Sequence, residues 1–166
     1  MAIMERTTLS RKSFYVYFRD RGDMFASLVE PLRADADETL ARWREAEDIV
    51  TAGRIALRSA ALLYARDGAI LQALASASDS DEEAARVWGE VVGSIVEVAA
   101  QKIAEATAAG DSAGLDPERT ARALVTMNVN YFFDEIVRKP DPDIDATVAT
   151  LTAIWERVIY LRDPAG

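Results

Sequence analysis

The sequence contains no histidine and no cysteine among its 166 residues. The chain therefore cannot form a disulfide, use a thiol, build a histidine-dependent catalytic triad or hold zinc through histidine. A pair of carboxylates could still carry out acid–base chemistry. We nevertheless expect a protein that is not an enzyme and that has neither a metal nor a cofactor.

Long apolar runs are also missing, although half of the residues are hydrophobic. No uninterrupted apolar stretch approaches the length that spans a bilayer. Residues 1–6 lack the apolar core and the small-residue cleavage site of a signal peptide. We expect a cytoplasmic protein without a membrane partner, made of one domain or of one domain and a fragment.

Three acidic clusters lie at 35–38, 79–83 and 141–145. Each looks like the start of a helix, where carboxylates accept hydrogen bonds from free backbone N–H groups and favour the positive end of the helix dipole. We interpret these clusters as helix caps rather than as catalytic or metal-binding groups.

Apolar residues recur at spacings of three and four, and no segment alternates with a period of two. This pattern predicts an all-α fold. Pro31 should bend the helix that contains it, because proline removes one backbone N–H and clashes with the preceding turn. The predicted helices are 2–6, 10–17, 20–45, 47–66, 68–76, 80–108, 117–138 and 143–162.

Charge is distributed unevenly along the chain. Residues 1–21 carry a net charge of +3, whereas residues 22–166 carry −12. A basic end on an acidic body suits a protein that contacts nucleic acid with one edge. A chance fluctuation in a short segment would produce the same asymmetry.

Residues 10–24 combine three arginine or lysine side chains with two tyrosines and two phenylalanines ahead of a second helix start at Asp20. This segment resembles the recognition helix of TetR-family transcriptional repressors. The resemblance implies a TetR-like helical bundle, with a partial helix-turn-helix domain at 1–21 and a ligand-binding and dimerisation domain at 22–166. The residues that would then face operator DNA are Ser10, Arg11, Lys12, Tyr15, Tyr17 and Arg21.

The resemblance is incomplete at its start. A TetR-type DNA-binding domain has three helices, of which the first has no counterpart here and the second is the short segment 2–6. In the family pattern, the turn before the recognition helix contains a glycine, and this chain has Thr8 at that position. This is a departure from the pattern, because β-branched residues resist positive φ. We expect the 166-residue chain to bind DNA weakly or without specificity. A DNA-binding-deficient relative that binds a ligand or forms a heterodimer is the alternative, and gel shifts with operator DNA would separate the two.

The last two predicted helices have two apolar faces each, whereas an outer helix of a small monomer has one. Either they are completely buried or they contact a partner chain. TetR-family proteins dimerise through their last two long helices, so the resemblance also implies a homodimer. The predicted interface residues are Met127, Phe133, Leu151, Ile154, Val158 and Leu161.

Asn128 interrupts an apolar stripe, so its amide must find a hydrogen-bond partner. It either bonds a neighbouring backbone carbonyl or anchors a small molecule in an apolar pocket. Met127-Asn128 and Ile154-Trp155 resemble the branch of the TetR family that includes the mycobacterial repressor of ethionamide activation, which implies a pocket for a small hydrophobic effector. The candidate walls are Leu57, Trp88, Val92, Val125, Asn128, Phe132 and Trp155.

No lysine or arginine interrupts these candidate walls, so we expect a neutral or weakly polar effector. The competing interpretation is a closed core filled by the same aromatic side chains.

Overall fold

The computed structural model describes residues 17–46, 49–110 and 115–159. Between residues 21 and 159, this part of the chain forms five α-helices and one π-helical segment without any strand, which confirms the all-α prediction. The predicted helix at 2–6 and all but the last residue of the predicted helix at 10–17 lie outside the described residues. The helices are α1 (Arg21–Glu45), α2 (Ile49–Ser78), α3 (Glu82–Ala108), α4 (Pro117–Phe132), its π-helical continuation (Phe133–Val137) and α5 (Ile144–Ile159).

Aspartates cap four of the helices. Asp20 accepts the backbone N–H of the third residue of α1, and Asp81 accepts two backbone N–H groups at the start of α3. Asp116 and Asp143 do the same for α4 and α5. Such caps are worth about 1 kcal/mol each. The interpretation of the 79–83 and 141–145 clusters as caps is confirmed.

The acidic cluster at 35–38 is different, because it lies in the middle of α1 and caps nothing. Asp35 instead forms an ion pair with Arg66 of α2. Asp35 therefore connects two helices, and the interpretation of this cluster as a helix start was wrong. No group of three or more metal-ligating side chains occurs among the described residues.

The prediction of two helices at 47–66 and 68–76 was also wrong, because α2 continues through both without a break. Gly68 is needed for packing. A Cβ atom at Gly68 would lie only 2.3 Å from the Cγ2 atom of Val137. Glycine here allows the π-helical segment to approach α2 closely, and the surrounding turns keep the helix intact.

The helix predicted at 117–138 changes its geometry in its last turns. Residues Phe133–Val137 form a π-helix rather than an α-helix. Both Phe133 and Ile136 in this segment are buried. A π-helical turn is wider than an α-helical turn, and here it coincides with the burial of two large side chains in the core. It lies where Gly68 allows close contact between this segment and α2.

Helix α3 packs against α1, α2 and α4, while α2 packs against α1, α3, the π-helical segment and α5. Val98, Ala99 and Ile103 of α3 are completely buried. In the described part of the chain, no helix combines the length and the apolar character needed to cross a membrane.

Candidate ligand-binding site

An elongated cavity of about 570 Å³ runs between α1, α2 and α3 and is also bordered by α4 and α5. Its lining is mainly apolar. Along α3 the lining extends from Trp88 to Lys102, a separation of about 21 Å at the α-helical rise of 1.5 Å per residue. A cavity of this size can hold a small organic molecule.

The structure brings most of the predicted wall residues together around this cavity. Those that line it are Leu57, Trp88, Val92, Asn128 and Trp155. Val125 and Phe132 do not line it. Val125 is only 1% exposed in the core, and Phe132 packs against the Tyr64 ring, with centroids 5.0 Å apart.

Asn128 of α4 is bonded to Trp155 of α5 rather than to a backbone carbonyl. The indole Nε1–H of Trp155 donates to Oδ1 of Asn128 at 3.0 Å, in a buried position. An indole nitrogen can only donate, so this bond fixes which end of the amide is the oxygen. The amide Nδ2 of Asn128 has no hydrogen-bond partner among the described residues and remains available as a donor beside the cavity.

Trp43 was missing from the predicted walls, yet it lines the cavity next to this pair. Its ring meets that of Trp155 edge to face, with centroids 5.9 Å apart. Its indole Nε1 is buried without a hydrogen-bond partner in the described part of the chain. An unpaired buried donor costs about 1–3 kcal/mol. The only feature of the sequence that pointed to Trp43 as a wall residue was that the three tryptophans lie on different helices. In the structure, Trp43 contacts Trp155, whereas Trp88 stacks on Phe133.

Tyr64 of α2 is a second wall residue that the sequence did not indicate. Its ring contacts Phe132 and Phe133, and burial raises the pKa of its phenol well above the usual value. The hydroxyl therefore stays neutral, and it has no hydrogen-bond partner among the described residues.

The lining also contains cations, which differs from the uncharged wall expected from the sequence. Each forms an ion pair with a carboxylate of this chain. Lys102 is the most buried of them at 3% exposure, and its hydrogen bond lowers the pKa of the Glu105 carboxyl. The cations of the lining are therefore matched within the protein. The pairs are Arg33 with Glu90, Arg54 with Glu156, Arg66 with Asp35 and Asp67, and Lys102 with Glu105.

Residues 53–161 match the family described as Transcriptional regulator EthR, C-terminal domain. The match covers 109 of the 166 residues and includes α3, α4, α5 and most of α2, which carry much of the cavity wall. The chain belongs to this family. It is an EthR-like regulator of the TetR family. Among curated protein sequences, none matches this chain significantly.

The predicted DNA-contacting residues of this EthR-like regulator lie mostly outside the described part of the chain. That holds for Ser10, Arg11, Lys12 and Tyr15. Tyr17 is 74% exposed. Arg21 is the first residue of α1, directly after the Asp20 cap.

The predicted interface residues of the regulator separate into two groups. Phe133 and Leu151 are packed inside this chain, at 6% and 1% exposure, so they differ from their expected place at a dimer surface. Met127, Ile154 and Val158 are only partly buried and remain accessible to a partner chain. Leu161 lies outside the described residues.

Proposed function

We propose that this EthR-like protein is a transcriptional repressor whose DNA binding is controlled by an elongated, neutral and mainly apolar small molecule. The observation that carries the proposal is the mainly apolar cavity in which the Asn128 amide is held in place by Trp155. Small-molecule sites typically combine apolar walls with a few oriented polar groups. The matched ion pairs of the lining favour a ligand without net charge, because an unpaired charge is costly to bury.

Helix α1 supplies the route from the cavity to the DNA-binding end. Its second half, from Leu32 to Trp43, lines the cavity, while its first residue, Arg21, is the last residue of the segment 1–21. Pro31 lies between the two halves. A ligand that favours one position of α1 would set the spacing of two recognition helices and release the operator. It can shift this equilibrium only by its difference in affinity between the two states.

Filling the cavity should weaken ligand binding. Ala60 lines the cavity on α2, whereas Ala65 of the same helix is exposed. We expect Ala60→Phe to weaken the binding of an apolar probe such as butylbenzene at least tenfold, because the added ring occupies the ligand volume. Ala65→Phe should leave the affinity unchanged. Isothermal titration calorimetry measures both, and equal affinities of wild type and Ala60→Phe would contradict the proposed function.

We further propose that two copies of the chain form a two-fold dimer through the accessible parts of α4 and α5. The support is the partly buried apolar residues Met127, Ile154 and Val158, which leave apolar surface on two neighbouring helices. Regulators of the TetR family generally dimerise, and two-fold dimers are the commonest oligomers.

A charge on this surface should separate the dimer. We expect Ile154→Asp to convert a dimer into a monomer at micromolar concentration in analytical ultracentrifugation, because each of two symmetric copies would bury an unpaired carboxylate. Ala149→Asp changes an exposed face of the same helix and should leave the dimer intact. Retained helical circular dichroism would show that Ile154→Asp is folded. A wild-type monomer, or a dimer of Ile154→Asp, would refute this interface.

A further inference from the structure

The cavity opens to solvent between α1 and α2. Among the described residues that line it, those that are exposed all belong to these two helices, and none belongs to α3, α4 or α5. They are Asp35, Asp37, Arg54, Leu62 and Arg66. A small molecule that enters from solvent therefore passes between the exposed residues of α1 and α2.

One ion pair spans this opening. The Nη2 atom of Arg66 on α2 lies 2.7 Å from Oδ2 of Asp35 on α1, and both side chains also line the cavity. More than half of each side chain is exposed, at 59% and 57%. The pair thus joins the two helices at the surface of the protein, where the cavity meets solvent.

Leu62 forms an apolar edge of the same opening. It lies one helical turn before Arg66 on α2, so the two side chains share one face of the helix. Leu62 is 49% exposed, although it lines the cavity. An apolar molecule can contact Leu62 before it reaches the interior, and the side chain of Arg66 lies beside that path.

Arg66 can release Asp35 and still keep a partner. Its Nε atom also pairs with Asp67, the next residue of α2. When the contact with Asp35 breaks, the guanidinium remains paired on its own helix, so opening does not leave this cation without a carboxylate. Exposed ion pairs are also weak and are screened by salt. The link between Arg66 and Asp35 is therefore one that opens readily.

We propose that the ion pair of Arg66 with Asp35 is a gate that controls how fast a ligand enters and leaves the cavity. The gate is closed while Arg66 bridges α1 and α2, and it is open when Arg66 pairs with Asp67 alone. The inference rests on the proposed ligand-binding function and adds a control of its rate. Such a gate changes the association and dissociation rate constants by the same factor, so the dissociation constant stays the same.

Stopped-flow fluorescence of the full chain measures both rate constants. Butyrophenone is a suitable neutral probe, because its aromatic ketone quenches indole fluorescence and three tryptophans line the cavity. Asp35→Asn keeps the shape of the side chain and removes the charge that holds Arg66. We expect it to raise both rate constants about twofold to fivefold, as the strength of an exposed pair implies, while the dissociation constant changes by less than about twofold.

Arg58→Gln is the matched control. Arg58 also lies on α2 and pairs with Asp145 of α5 at 2.6 Å, yet it does not line the cavity. Its rate constants should equal those of wild type. Salt provides a second measurement, because added sodium chloride weakens an exposed ion pair. The rate constants of wild type should approach those of Asp35→Asn as salt is added.

Unchanged rate constants in Asp35→Asn, or a change confined to the dissociation rate constant, would overturn the gate while leaving the ligand-binding function standing. Equal acceleration in Arg58→Gln would also overturn it, since the effect would then follow from the lost charge alone. If butyrophenone does not bind the wild-type chain, the ligand-binding function is refuted, and the gate with it.

Discussion

Replacing Trp155 by alanine should lower the free energy of unfolding by about 3–5 kcal/mol, the cost of removing a large aromatic side chain from a core. Trp155 is 7% exposed, packs edge-on against Trp43 and donates the hydrogen bond that satisfies Asn128. The substitution removes this packing and leaves the amide oxygen without its donor. Urea denaturation followed by circular dichroism measures the loss.

The effect of replacing Trp88 by alanine can be compared with that of replacing Trp155. It is only partly buried and lines the cavity on one side, so its replacement by alanine removes fewer contacts. We expect a smaller loss of stability for Trp88→Ala than for Trp155→Ala, together with altered binding of apolar probes. An equal loss in both variants, without any change in probe binding, would show that Trp88 fills a closed core and would argue against the cavity.

Replacing Gly68 by alanine should also destabilise the protein, by about 1–3 kcal/mol as expected for overpacking. The added Cβ would lie 2.3 Å from Cγ2 of Val137, a distance that real contacts do not reach. Either α2 or the π-helical segment must then shift. The loss exceeds the gain of up to about 1 kcal/mol that alanine brings to a helix interior.

Gly89 is the matched control for this substitution. It is exposed on α3, and a Cβ there would meet nothing within 4 Å. Gly89→Ala should therefore stabilise the protein by about 0.5–1 kcal/mol. In the double variant Gly68→Ala with Val137→Ala, the clash is relieved, and the effects of the two changes should not add. Additive effects in urea denaturation would contradict the close contact between α2 and the π-helical segment.

Local chemistry in the sequence determined most of the helical architecture. The apolar spacing indicated α1, α3 and α5 within a few residues, and all four capping aspartates lie in or beside segments identified as helix starts. These features depend on residues within one or two helical turns, so they can be predicted from the sequence. The same locality explains the errors, because Gly68 and the cluster at 35–38 look like a helix break and a helix start until their partners on other helices are known.

The candidate site was predicted in part for the same reason. The apolar stripes of the helices contain Trp88, Asn128 and Trp155, which the structure places on the cavity wall. Val125 and Phe132 belong to similar stripes but lie behind that wall. Periodicity reports that a side chain faces inward, and it does not report whether the space in front of it is filled.

The sequence by itself determined an all-α chain without histidine or cysteine chemistry, with acidic caps and inward-facing aromatic residues. Only the tertiary structure decided that Trp155 holds Asn128, that Trp43 keeps an unpaired donor beside Gly53, and that the cations of the lining are matched. These contacts join residues far apart in the chain, such as Arg54 and Glu156, 102 positions apart. Helix periodicity leaves such pairings open, because they depend on how the helices cross.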